Sequence, residues 1–330
     1  MRAVGVRTGA PAAGVHVAAA RVTERPWAAD EYLAELQNKC LKSRNSIIQR
    51  IERSLVFKDV FAKHVGEMED HSVIGTEIRN LRAAKHRFER TAMPAGRFTM
   101  FFDAILATAN HVASHRSGRA EGDDANAFLE MVDEKLVLAM AMIADAAHEG
   151  LQLTRFADDG DMDLAEAPAR RADFARRLEV LFVKGECSSL PGFSMYAMDG
   201  LRRTKLVYCS DRVRGIGGPH HPEKKVVDEL LGRFTCWTSL AIRTLRTEFP
   251  DFDILQCFHI FHLGNKTALD TGSNKNAYTC LQDDTCFAKS SQTFSVDIEE
   301  LKGQFYQHFP LALRHFSQST CNSNVQAPPV

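Results

Sequence analysis

"DEKLVLAMAMIADAAHEGLQLTRFADD", residues 133–159, decides the fold class. Leu136, Met140, Ile143, Ala147 and Leu151 recur every three or four residues, and Leu129 and Val132 extend the stripe backward. That spacing follows a helix's period of 3.6 rather than a strand's period of 2. It predicts a long helix over 125–156, starting near Asp124. Asp145 interrupts the longest apolar run, "LVLAMAMIADAA" (136–147), and no run approaches the ~20 apolar residues a bilayer requires. A soluble chain without a membrane partner is expected.

Outward from this helix the same period recurs. Leu33, Leu36, Cys40, Ile47, Ile51 and Leu55 form one stripe, and Val227, Leu230, Phe234, Trp237, Ala241 and Leu245 another. A further stripe, Leu301, Phe305, Phe309, Ala312 and Phe316, opens with Asp297 and Glu300 in an N-cap arrangement and meets a helix-breaking proline at Pro310. Strand signals are sparse: "TKLVYCS" (204–210) and "SQTFSV" (291–296) are β-leaning, and neither shows a hairpin partner. The expected fold is mostly α, an irregular multi-helix bundle with a few short strands. Its expected parts are an N-terminal tail (1–28), a helical domain (29–263), a flexible loop (264–292), a helical segment (293–317) and a C-terminal tail (318–330). Polar breaks are read at 114–126, 157–169 and 210–223. The acid-poor, Arg-containing start resembles a transit peptide but lacks Ser, and reads as an Ala/Gly/Pro tail.

Composition narrows the function classes. The 330 residues are 45% hydrophobic and 25% charged, with 41 basic against 42 acidic side chains and a net charge of −1. No global field draws nucleic acid, so any such attraction is local. The eight cysteines include no CxxC pair, which argues against a zinc knuckle, and they read as reduced core residues.

Each chemical motif has a plainer reading. "DDGDMD" (158–163) gathers four carboxylates but places Gly160 and Met162 where an EF-hand loop needs other residues. His111 and His115 lie one turn apart, yet Val112 stands where a zincin has Glu and no third ligand is apparent. Asp145, His148 and Glu149 share one turn of the long helix and would serve acid–base chemistry only by converging in a cavity. "GIGGPHHP" (215–222) lacks the P-loop ending, and Pro222 reads as a helix-start proline. No metal, cofactor or complete catalytic constellation is expected.

The remaining candidate is basic. Arg79, Arg82, Lys85, Arg87, Arg90 and Arg97 fall within nineteen residues, joined by His86 and opposed by Glu89. On a helix several of these would share a face able to contact phosphates.

The order "HRFERTAMPAGRFTMFFDAILATA", "DEKLVLAMAMIADAAHEGLQLTRFADD", "DFARRLEVLFVKGEC" (173–187), "GIGGP" (215–219) and "TLRTEFPDFDILQCFHIF" (244–261) resembles the middle of hAT-superfamily transposases over roughly residues 30–317. The resemblance implies the helical insertion of an RNase H-like transposase, whose catalytic core uses three metal-holding acids. Arg87–Phe88 stands where many relatives have Arg-Trp. No acid-bearing strand is found in residues 1–75, nor the Ser-rich, Glu-Arg-containing motif of that family's C-terminal region, so no catalytic residue transfers. The resemblance implies a catalytically inactive, transposase-derived protein with DNA contact through 79–97, and nuclear localisation; the residues themselves allow nuclear or cytoplasmic. The alternative is a helical scaffold that binds protein partners, or itself, through helical faces.

Overall fold

The computed structural model describes residues 26–68, 92–158, 167–209, 213–248, 288, 291–292, 296–304 and 307. The chain divides into two compact units, Met1–Asp159 with Phe174–Glu248, and Gly160–Asp173 with Phe249–Val330. The architecture is mostly helical with one two-stranded sheet, as the periodicity predicts.

In the first unit the opening stripe is divided among three helices. Helix α1 (Glu31–Gln37) starts where the Asp30 carboxylate accepts the Leu33 N–H, and it runs into a π-turn, Asn38–Lys42, that buries Cys40 and Leu41. Helix α2 (Ile47–Arg53) is capped by the Ser46 hydroxyl, which accepts the Gln49 N–H. Helix α3 (Leu55–Gly66) follows a turn at Ser54, which rotates Leu55 out of the stripe and leaves it exposed.

The long helix predicted over 125–156 is two helices. Helix α6 (Ala120–Met131) starts inside the expected break at 114–126, and α7 (Glu134–Asp158) starts afresh after Val132 and Asp133. Asp133 explains the interruption: its carboxylate accepts the Leu136 N–H at 2.7 Å and sets a new N-terminus. Helix α7 is buried beyond one stripe, since every residue from Leu136 to Ala144 is buried. A helix apolar all round must lie inside something. Although α7 is long and apolar enough to cross a membrane, 89% of its most apolar window lies inside the protein. Helices α1, α4 (Ala92–Met100), α9 (Phe193–Arg203) and α10 (Lys224–Glu248) pack against it. Helix α5 (Phe102–His115) lies against α3 and α6, and α8 is Ala167–Leu178.

The strand predicted at 204–210 does have a partner. Strands β1 (Leu206–Cys209) and β2 (Val213–Ile216) pair antiparallel, with Leu206 opposite Ile216 and Cys209 opposite Val213. The second strand was hidden in a stretch read as a polar break. The hairpin also satisfies the carbonyls freed where α6 stops: Tyr208 donates its hydroxyl to the Val132 carbonyl at 2.6 Å, and Arg214 donates to that of Glu130 at 2.8 Å. Pro222 precedes α10 by two residues rather than occupying its first position.

The stripe predicted on α10 is confirmed at Leu230, Phe234, Trp237, Ala241 and Leu245. Trp27, expected in a tail, is instead buried, with its ring stacked on Trp237 at 4.4 Å and edge-on to Phe234 at 6.0 Å. Phe182 completes this aromatic group 4.8 Å from Phe234. Of the cysteines in described residues, Cys40 and Cys187 are buried core groups, whereas Cys209 and Cys236 are exposed.

In the second unit, residues 298–304 are helical and begin as predicted: Asp297 accepts the N–H groups of Glu299 and Glu300, each at 3.0 Å. Residues 291 and 292, read as strand, are helical. Pro310, most of the 264–292 loop, residues 159–166 of the acidic loop and the C-terminal tail lie outside the described residues.

Candidate functional sites

Asp145, His148 and Glu149 do not converge. Asp145 is buried on α7 and turns to the start of α9, where it accepts the Phe193 N–H at 2.8 Å and the Ser194 N–H at 2.9 Å. It is the cap of a helix 48 residues away. A neighbouring backbone must come very close for this, and Gly192 permits it: a Cβ there would lie 2.7 Å from the Asp145 Oδ1. Glu149 instead pairs with Arg177, its Oε2 3.2 Å from the guanidinium Nε. His148 is exposed, 3.3 Å from Gln152, its ring edge-on to Phe193. One helical turn sends three polar side chains in three directions, so the acid–base trio is not a site.

Burial raises the Asp145 carboxyl above its ordinary 3.8, while the Ser194 and Phe193 hydrogen bonds and the nearby His148 pull the other way. Burial also pushes the nearby Cys187 thiol up to about 11 and the Cys40 thiol to about 12, which makes both poor nucleophiles.

The α4–α9 contact depends on a second close approach. The Phe193 ring lies over Gly96, where a Cβ would meet the ring at 2.8 Å. Beside it Met68, Thr99, Met100, Asp103, Tyr196 and Arg203 help line a cavity of about 270 Å³. Asp103 is one of the lining residues, and desolvation by the surrounding protein raises its carboxyl above 3.8.

Of the basic cluster, Arg79, Arg82, Lys85, Arg87 and Arg90 lie outside the described residues, as does Phe88. Arg97 sits half-buried on α4, a helix that otherwise buries Ala92, Pro94, Ala95, Gly96, Phe98 and Thr99.

His111 and His115 are neighbours on α5, as their spacing predicts. What the spacing could not show is His64, brought up from α3 to within 6.4 Å of the His111 ring. Among the described residues no group of three His, Cys, Asp or Glu side chains is arranged to hold a metal ion.

No family model, curated protein or solved structure matches the chain. The resemblance to hAT transposases gains no support from them.

Proposed function

We propose that this protein is a non-catalytic helical module that contacts nucleic-acid backbone through Arg79, Arg82, Lys85, Arg87, Arg90 and Arg97, with transposase-derived ancestry. The observation that supports this reading is the positive charge that lies beside the residues flanking the basic segment. Met68, the last described residue before it, lines the same cavity as Thr99 and Met100 of α4, the helix that follows it. Arg203, in the last turn of α9, lines that cavity too, with Arg202 before it and Lys205 after. The basic end of α9 thus lies beside Met68 and Met100, described residues on either side of the basic segment. Backbone contacts require only such local positive charge, which is compatible with a chain that is neutral overall.

The test is binding to labelled duplex DNA across a salt series. Affinity should fall steeply with salt, and changing Arg79, Arg82, Lys85, Arg87 and Arg90 to Ala should flatten the dependence. Arg203→Ala should reduce the slope by roughly one unit if it contacts a phosphate. Absence of binding at low salt overturns the proposal.

A second reading, a protein-interaction scaffold, is favoured by the hairpin. Val207, Cys209, Val213 and Gly215 alternate onto one face, and Val207 and Val213 are 60% and 72% exposed. Salt-insensitive binding to a protein partner, lost in a Val207→Ser, Val213→Ser variant, would favour this reading over the first.

A further inference from the structure

Helices α3 and α5 meet through imidazoles. The His111 and His115 rings are stacked, centroids 4.0 Å apart and planes 16° from parallel, and His64 stands edge-on to His111. Two of the three rings are fixed by local bonds. His115 Nδ1 lies 2.9 Å from the His111 carbonyl oxygen, which only a protonated Nδ1 can use, and His64 Nδ1 lies 3.0 Å from the Glu67 carboxylate. Near-parallel stacked rings do not aim their lone pairs at one point, in keeping with the absence of a metal-holding group among the described residues. The chemistry this arrangement offers is protonation.

We propose that His64, His111 and His115 form an acid-responsive latch between α3 and α5, closed while the rings are neutral and loosened as they take up protons. Neutral imidazoles can stack at 4.0 Å, whereas two imidazolium ions at that distance repel each other. Helix α2, packed on α3, brings Arg50, Glu52 and Arg53, and no acid is among the groups that act on His111. Helix α3 brings Lys58, Asp59, Lys63 and, just past its end, Glu67, which is engaged with His64. Helix α5 adds Asp103, and the turn after it Arg116 and Arg119. Helix α4 contributes Arg97 and β1 no charged side chain. Helix α6 carries Glu121, Asp123, Asp124 and Glu130, with Asp124 paired to Arg50.

The groups that act on His111 are all cationic or potentially so. Burial first, then His115, His64 and Lys63, hold its imidazole below the ordinary 6.5. A group depressed in the folded state binds fewer protons there than in the unfolded chain. Its contribution to stability is present above pH 6.5 and is lost as pH falls through the folded-state value. His111 is the ring on which the other cations act, so its charging opens the latch.

The experiment compares the wild type with His111→Gln in thermal unfolding between pH 8 and 5, alongside NMR titration of the His111 ring in the wild type and in His115→Gln. The wild-type midpoint should drop by about 2–4 °C more than that of the variant. The His111 ring should titrate below 6.5 in the wild type and shift upward when His115 is replaced. Parallel unfolding curves, or a His111 titration unmoved in His115→Gln, overturn the proposal. Should His111→Gln fail to fold, the ring titrations decide it alone.

Discussion

The α7–α9 joint and the α3–α5 face both place ionisable side chains where two helices touch, and they treat them in opposite ways. At the first, Asp145 is buried and both its oxygens are occupied by backbone N–H groups. At the second, His111 is half-exposed and acted on by His115, His64 and Lys63. Burial is the leading cause of both pKa shifts, yet it raises one and lowers the other. The reason is that burial disfavours charge, which makes a carboxyl hold its proton and an imidazole release it. A buried ionisable group with fixed partners holds the fold together. A half-exposed one crowded by like charges responds to pH.

The largest test of that contrast is Asp145→Ala, which strands two N–H groups at the start of α9. It should cost about 2–4 kcal/mol in urea unfolding at pH 7, and a loss no larger than that of a surface substitution would remove Asp145 as the cap. Gly96→Val comes next. With the Phe193 ring where a Cβ would have to sit, overpacking should cost about 1–3 kcal/mol, measured as a lower unfolding midpoint. An unchanged midpoint would mean that the ring is free to move.

The pH profiles come third, because the two regions should titrate in opposite senses. A carboxyl raised in the fold contributes stability that is full below 3.8 and is lost as pH climbs through its folded-state value. As wild-type stability minus variant stability, the Asp145→Asn difference should therefore rise as pH falls, whereas the His111→Gln difference should fall. Two profiles sloping the same way would break the comparison. The smallest effect belongs to Glu67→Gln, which removes the acid beside His64. Its cost should be about 0–1 kcal/mol in thermal unfolding at pH 7, as for an exposed ion pair, and a larger loss would mean that this contact holds the end of α3.

Much of the fold is legible in the residues because apolar spacing reports burial directly. The α10 stripe and the Asp297 cap are local patterns, and both appear where the spacing puts them. The boundary at Asp133 was also present in the letters, as an N-capping residue ahead of a helix, but the continuous apolar stripe across it masked the break. Trp27 was missed because composition describes a segment, while one indole stacked on Trp237 fixes its own location. Strand β2 was missed because "VRGI" has no alternating pattern, and its pairing with β1 supplies what the sequence lacks.

The candidate sites were less legible than the fold. By itself the sequence determined that the fold is mostly helical, that α7 is apolar enough to belong inside, and that His111 and His115 share a face, since periods of three and four residues are properties of the chain alone. Only the tertiary structure decided that Asp145 caps a helix 48 residues away, that Gly96 and Gly192 are sites of close approach, and that His64 joins the other two imidazoles. Those relations depend on distances between helices remote in sequence, and such distances are set by how the helices pack together rather than by any single segment.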